Sequence, residues 1–153
     1  MRNTEAERFV REVWVAFQRE GIAGVLPLAA ADAQWHPYSA HRRGFSSTAE
    51  YREQLEQSSA AGEKVEASAI GMWSHEALVM VRGRMRIRKR GDVLEDTRMY
   101  WLFEVRGEQL TRVASSPDLA GLLRDAGEGD PVLAREAFIG LHRDTAERVE
   151  PER

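Results

Sequence analysis

Four consecutive residues in the first third of the chain carry side chains that could do chemistry. The sequence WHPY at residues 35–38 places an imidazole next to an indole, with a proline and a phenol following. A histidine side chain accepts protons near neutral pH, so His36 could remove a proton next to a carbonyl group. The phenol of Tyr38 could donate a hydrogen bond to the same kind of ligand. A surface or capping histidine beside a turn is the alternative interpretation of His36.

The residue types needed for other common chemistries are absent or scattered. The 153-residue chain contains no cysteine, which removes disulfides, thiolate nucleophiles and cysteine metal ligands. Its four histidines are dispersed, and neither an HExxH motif nor a GxSxG elbow occurs in the sequence. We therefore expect no metal and no cofactor.

The composition is that of an ordinary soluble protein with one domain. Hydrophobic residues make up 42% and charged residues 31%, and the net charge is −3, so a strongly basic nucleic-acid binder is not expected. The N-terminal sequence MRNTEAERF is charged where a secretory signal would be apolar. No apolar stretch approaches the length of about 20 residues that a membrane span needs. We expect a cytoplasmic protein that binds neither nucleic acid nor membrane.

Capping signals and helical spacing predict three helices in the first part of the chain. A capping box at Thr4 begins a first helix that ends at Gly21. A short second helix is predicted over residues 22–31, and an extended segment follows over residues 34–38. A second capping box begins a third helix over residues 47–61.

Alternation with a period of two predicts a sheet after the third helix. The expected strands, joined as consecutive antiparallel hairpins by turn-competent residues, cover residues 64–73, 77–89, 93–105 and 110–115. In the second of these strands, apolar residues and Gly83 alternate with four arginines at even positions. One face of the sheet is therefore apolar and the other carries guanidinium groups. A short helix over residues 117–126 and a docked helix or partly ordered tail over residues 130–148 complete the prediction.

The order of these elements resembles the nuclear-transport-factor-2-like (NTF2-like) superfamily, and within it the SnoaL-like and ketosteroid-isomerase-like proteins. The matching segments are the helix at 7–17 leading into GIAGVL at 21–26, ADAQW at 31–35, RGF at 43–45, WLFEVRGEQL at 101–110, and Asp118 opening a short helix that closes with AG at 126–127. The resemblance implies a SnoaL-like domain over residues 1–127. Residues 128–153 form a C-terminal extension outside it.

The resemblance implies an α+β fold. Its cone-shaped, curved antiparallel sheet wraps around a long N-terminal helix, with two further short helices and an apolar pocket open at one end. Members of the superfamily include ketosteroid isomerases, polyketide cyclases, epoxide hydrolases and dehydratases, together with binding or assembly modules without known catalysis. They are commonly dimers that pair through the outer sheet face. The fold alone does not select a reaction.

His36 is the catalytic base that the resemblance implies. It takes the place of the catalytic aspartate of the steroid-isomerase branch when the comparison is anchored on Pro37. Anchoring on Asp32 instead moves the match onto Pro37, and strand alternation then turns His36 away from the pocket. The oxyanion tyrosine of that branch falls on Val13 and its hydrogen-bonding acid on about Met99. Neither side chain can donate a hydrogen bond to an enolate, so classical ketosteroid isomerisation is not expected.

A set of large apolar and aromatic residues is predicted to line the pocket, because strand alternation places most of them on the apolar face. The predicted ligand-binding residues are Trp35, Tyr38, Trp73, Met85, Met99, Trp101 and Phe103. Core packing is the alternative for each of them, since large apolar residues are usually buried. Pockets also hold a few polar groups, for which Gln34 and Thr97 are further candidates.

Two functions from different classes follow. The first is a SnoaL-like pocket protein that binds an apolar or polycyclic carbonyl compound, with cofactor-free isomerase or cyclase activity based on His36. The second is a non-catalytic NTF2-like binding or assembly module that forms a homodimer through the outer sheet face. The arginines of that face fit a solvated surface or a dimer interface. Acidic neighbours such as Glu66 and Asp96 argue against nucleic acid, because they can form cross-strand charge pairs.

Overall fold

The computed structural model describes residues 4–38, 44–119 and 121–122, and it contains both helices and strands. The helices are α1 (Thr4–Glu20), α2 (Ile22–Val25) and α3 (Thr48–Ala60), with a single 3₁₀ turn at Leu26–Leu28. The strands are β1 (Ala29–His36), β2 (Glu63–His75), β3 (Leu78–Lys89), β4 (Asp92–Arg106) and β5 (Gln109–Ser116). The predicted extension over residues 128–153 lies outside the described residues.

The helices follow the capping signals, with one correction. Ser47 caps α3 by accepting a hydrogen bond from the backbone N–H of Glu50 at 3.2 Å, as the capping box predicts. The second helix is shorter than predicted and ends at Val25, because Pro27 lies in the 3₁₀ turn that follows it. The chain is therefore already extended at Ala29, five residues earlier than expected. None of the described helices is long and apolar enough to cross a membrane.

The five strands form one mixed sheet in the order β1-β5-β4-β3-β2. The predicted hairpins are confirmed, since β2, β3, β4 and β5 pair as antiparallel neighbours. β1 differs from its neighbours because it pairs with β5 in parallel. The chain reaches β5 only after α3 and three further strands, and such a long crossover is what parallel pairing requires.

The two faces of the sheet carry different cores. α1 packs on one face, which we call the concave face, and buries Val10 and Val13 against Val79, Val81 and Phe103. A second cluster lies on the opposite, outer face, where the start of the helix predicted at residues 117–126 covers one end of the sheet. Its buried members are Trp73, Leu78, Met80, Leu102, Ala114, Leu119 and Leu122. The predicted division into an apolar and an arginine-bearing face is confirmed for β3, and part of the outer face is apolar as well.

Thr48 joins α3 to β1 through two hydrogen bonds, one of them buried. The indole Nε1–H of Trp35 donates to the Thr48 hydroxyl oxygen at 3.1 Å. The same hydroxyl donates to the backbone carbonyl of Ala30 at 2.6 Å. Trp35 is 1% exposed, so water cannot replace the threonine as its acceptor.

We expect Thr48→Val to lower the free energy of unfolding by about 2 kcal/mol, because it keeps the side-chain shape but leaves the buried indole N–H without an acceptor. Thr48→Ser is the matched control, since it keeps the hydroxyl, and it should lose about half as much or less. Urea denaturation measures both. Equal losses in the two variants would mean that the methyl group, rather than the hydroxyl, stabilises this junction.

Candidate functional site

The concave face gathers four of the seven predicted ligand-binding residues. The rows of the β3–β4 ladder on this face are Val79 with Phe103, Val81 with Trp101, Gly83 with Met99, and Met85 with Thr97. Met85, Met99 and Phe103 are buried, whereas Trp101 keeps part of its surface exposed. The predicted residues of β3 and β4 therefore lie together on a single apolar surface.

Trp14 of α1 packs directly against this surface, although it is not among the ligand-binding residues predicted from the sequence. Its ring lies edge-on to Trp101, with centroids 5.0 Å apart, and edge-on to Phe103 at 6.2 Å. Its indole Nε1 is buried and has no hydrogen-bond acceptor among the described residues. A buried N–H without an acceptor costs about 1–3 kcal/mol, so it marks a position where an acceptor would be favourable.

Tyr38 and Glu95 form a polar pair at the edge of the concave face. The backbone N–H of Tyr38 donates to the Ser115 hydroxyl at 2.8 Å, which fixes the residue after the end of β1. Its phenol O–H donates to the Glu95 carboxylate at 2.9 Å. Strand alternation puts Glu95 on the same face of β4 as Thr97 and Met99. Glu95 is partly exposed, and it is not among the ligand-binding residues predicted from the sequence.

Trp35 belongs to the closed part of the core. Its ring centroid lies 4.6 Å from that of Tyr51, and the ring of Phe45 lies 5.4 Å from the same tyrosine. Burial raises the pKa of Tyr51 far above its ordinary value, so its hydroxyl stays protonated. Trp35 therefore lies on the concave side but is buried beneath α3.

His36 lies on the face of β1 opposite to Trp35. The parallel register pairs Trp35 with Val113 of the concave core and His36 with Ala114 of the outer cluster. The imidazole packs against Gly44, where an added Cβ would come within 2.6 Å of Nδ1. The structure therefore does not bring His36 together with the residues of the concave face, and its role as a base stays a prediction.

Trp73 also lies on the outer face, although strict alternation along β2 predicts the concave face. The register between β2 and β3 shifts by one residue between Ala69 and Gly71, so the strand contains a bulge. Met72 consequently joins the concave core, whereas Trp73 pairs with Met80 in the outer cluster. Its ring stacks on His75 at a centroid distance of 5.8 Å.

The open half of the outer face forms a charged surface that we call the arginine face. It consists of Lys64, Glu66, Arg82, Arg84, Arg86, Arg88, Asp96 and Arg98, which adjoin one another in the ladder registers. Hydrogen bonds from Arg84 at 3.0 Å and Arg86 at 3.1 Å hold the pKa of the Asp96 carboxyl below its ordinary value. Arg88 lowers the pKa of Glu66 in the same way, through a 2.7 Å hydrogen bond.

An open groove of about 360 Å³ crosses the arginine face. Its lining residues are Glu66, Ala67, Ser68, Arg84, Met85, Arg86 and Asp96. Within the described part of the chain, no group of three or more histidine, aspartate or glutamate side chains is arranged to hold a metal ion. The arrangements that the structure offers for binding are therefore an aromatic concave face and a charged outer groove.

Neither a protein-family model nor a curated protein matches the sequence. Three solved structures are each 16% identical to it: an NTF2-like protein of unknown function from Burkholderia pseudomallei, an LEH-like epoxide hydrolase from M. tuberculosis, and a predicted polyketide cyclase from Xanthomonas campestris. Their TM-scores are 0.63, 0.63 and 0.62. The matches cover 78%, 94% and 77% of this chain and 95%, 93% and 93% of the other chains. The chain therefore has the NTF2-like α+β fold that the sequence predicts.

Proposed function

We propose that the concave face binds a small apolar or polycyclic carbonyl compound between α1 and β4. The observation that carries this proposal is the buried Nε1–H of Trp14, which has no acceptor among the described residues and lies beside Trp101 and Phe103. A ligand that presents a carbonyl oxygen to that N–H would remove the cost of leaving it unpaired. The surrounding side chains are apolar or aromatic, as in most small-molecule sites.

The names of two structural neighbours agree with an organic ligand of this kind. One is an LEH-like epoxide hydrolase and another is a predicted polyketide cyclase. Fold similarity does not transfer a reaction, so the ligand class rests on the residues of the concave face. Aromatic rings such as Trp14 and Trp101 favour a flat, polycyclic partner through edge and stacking contacts.

Tyr38 and Glu95 are the groups on this face best suited to cofactor-free proton transfer. A further ligand carbonyl, distinct from the one that meets Trp14, would free the Glu95 carboxylate from its present donor if it accepted the phenol hydrogen bond. The carboxylate could then take the proton from the carbon next to that carbonyl, and the C–H electron pair would move onto the carbonyl oxygen. The Tyr38 hydroxyl would stabilise the enolate, and Glu95 would return the proton to the same carbon, or to the γ-carbon when the ligand carries a β,γ-double bond.

The ketone fluorenone and the hydrocarbon fluorene test the carbonyl requirement, because they differ in shape almost only by the carbonyl oxygen. We expect the protein to bind fluorenone more tightly than fluorene. Trp14→Phe should weaken fluorenone binding about fivefold more than it weakens fluorene binding, because one hydrogen bond contributes about 1 kcal/mol. Isothermal titration calorimetry measures all the affinities.

Trp101→Phe is the matched control, since it removes a second indole N–H from the same surface. It should reduce the affinity for both probes to a similar extent. If neither probe binds the wild-type protein, the proposed pocket is wrong. If Trp14→Phe weakens both probes equally, Trp14 contributes contact area and not the hydrogen bond.

The identity of the base is tested by deuterium exchange of the acidic C–H protons of 2-tetralone in D₂O, followed by NMR. We expect wild-type protein to accelerate exchange and Glu95→Gln to lose about a hundredfold of that acceleration, which is typical for removal of a general base. His36→Ala should keep the wild-type rate, because His36 lies on the outer face. The reverse result would assign the base to His36, as the sequence predicts. No acceleration by wild-type protein would leave a binding function without this chemistry.

The non-catalytic homodimeric module is the second candidate, and the outer sheet face is the surface it would use. One end of that face is already covered by Leu119 and Leu122 of the same chain. The remaining part is the arginine face. Pairing through it would require an offset that sets Asp96 and Glu66 of one copy against arginines of the other, since a symmetric contact otherwise opposes like charges.

A further inference from the structure

We propose that the arginine face docks an extended acidic segment of another protein, whose carboxylates lie along β3. This site is separate from the proposed ligand site, because strand alternation sends the arginine side chains away from α1. It therefore does not depend on the proposed function of the concave face.

The charge of the arginine face is the opposite of the charge of the whole chain. Six of its eight residues are basic and two are acidic, which leaves an excess of four positive charges. The net charge of the chain is −3. Positive charge is therefore concentrated on this surface, and a concentrated patch of one sign attracts partners of the opposite sign.

The register of the sheet sets like charges side by side. Arg84 of β3 lies directly opposite Arg98 of β4. Like charges in directly opposed positions of an antiparallel pair destabilise the sheet. A carboxylate from a partner placed over this pair could accept hydrogen bonds from the planar guanidinium groups, whose geometry matches a carboxylate.

The arginine face already binds carboxylates, although they belong to its own strands. Asp96 accepts hydrogen bonds from both Arg84 and Arg86. The side chains of these arginines remain 38% and 44% exposed and line the open groove. A carboxylate from outside the chain can therefore approach the same guanidinium groups from the solvent side.

The spacing of the arginines suits an extended peptide. Alternate residues of a strand are about 6.6 Å apart, and this distance separates the even-numbered arginines of β3. Alternate side chains of an extended acidic segment have the same spacing. Such a segment laid along β3 could thus meet Arg82, Arg84 and Arg86 with every second carboxylate.

An acidic protein segment fits this surface better than nucleic acid or a second copy of the chain. Single-stranded nucleic acid binds through aromatic stacking as well as phosphate contacts, and the aromatic residues next to the arginines in the described sheet, Tyr100 and Trp73, are partly buried and buried, respectively. A symmetric dimer through this face would set two positive excesses against each other.

A fluorescein-labelled oligo-glutamate of about eight residues, matched in length to the β3 arginines, is the probe, and oligo-glutamine is its neutral counterpart. Fluorescence anisotropy at low salt should show binding of the acidic peptide alone. The double variant Arg84→Gln with Arg86→Gln should weaken binding about tenfold. Arg8→Gln with Arg11→Gln is the matched control, because it removes the same charge from exposed positions of α1 and should change the affinity less than about twofold.

Asp96→Asn provides a test in the opposite direction. It removes the internal carboxylate that competes for Arg84 and Arg86, so binding of the acidic peptide should tighten by about threefold. Raising the salt from about 0.05 M to about 0.3 M should weaken binding by wild-type protein and by the Asp96 variant.

Three results would overturn the proposal. Equal losses in the β3 and α1 double variants would show attraction to overall charge rather than a site. Tighter binding of a labelled oligo-dT than of the acidic peptide would identify a nucleic-acid partner. Sedimentation velocity that shows a dimer, dissociated by the β3 double variant, would identify the arginine face as a self-association surface. Circular dichroism confirms that each variant is folded before it is compared.

Discussion

The backbones of β2 and β3 approach so closely at Gly83 that no side chain can be accommodated there. A Cβ atom at this position would overlap the carbonyl of Ser68, and the register shifts by one residue directly afterwards, between Ala69 and Gly71. A bulge bends and twists the strand that contains it, so these two features curve the sheet around α1. Both surfaces share this bend, because Gly83 lies between Val81 and Met85 on the concave face and between Arg82 and Arg84 along β3.

The sequence predicts the faces of β3 and β4 well because the two strands pair without a register shift from Leu78 to Ile87 of β3. Every second residue of β3 from Val79 to Met85 lies on the concave face, and the arginines between them lie on the outer face. The same alternation assigns Trp73 to the concave face, whereas the structure places it on the outer face. The bulge in β2 adds one residue to the strand, and the sequence pattern of apolar residues does not reveal it. The parallel pairing of β1 is likewise invisible to local patterns, since it depends on the path of the chain after α3.

The groups that now define the candidate site are joined by contacts between distant parts of the chain. The Tyr38–Glu95 hydrogen bond spans 57 residues, and no local motif predicts such a pair. Trp14 fits the apolar stripe of α1, so helical spacing assigns it to the core. The signal that could have identified it is its N–H, because an indole on a buried stripe needs an acceptor and neighbouring helical residues offer none.

The carboxylates on the arginine face hold the arginine side chains in place, and they also compete with a partner's carboxylates for the same guanidinium groups. The solvent exposure of these ion pairs decides which effect is larger. Asp96 holds Arg84 and Arg86 together, which reduces the side-chain freedom that a partner would otherwise have to restrict. The side chains of all three residues are more than a third exposed, at 35–44%. Ion pairs with this exposure contribute about 0.2–1 kcal/mol. A partner that brings several carboxylates can exceed this without breaking the fold, because the strands are held by their ladders and by the apolar core on the other face.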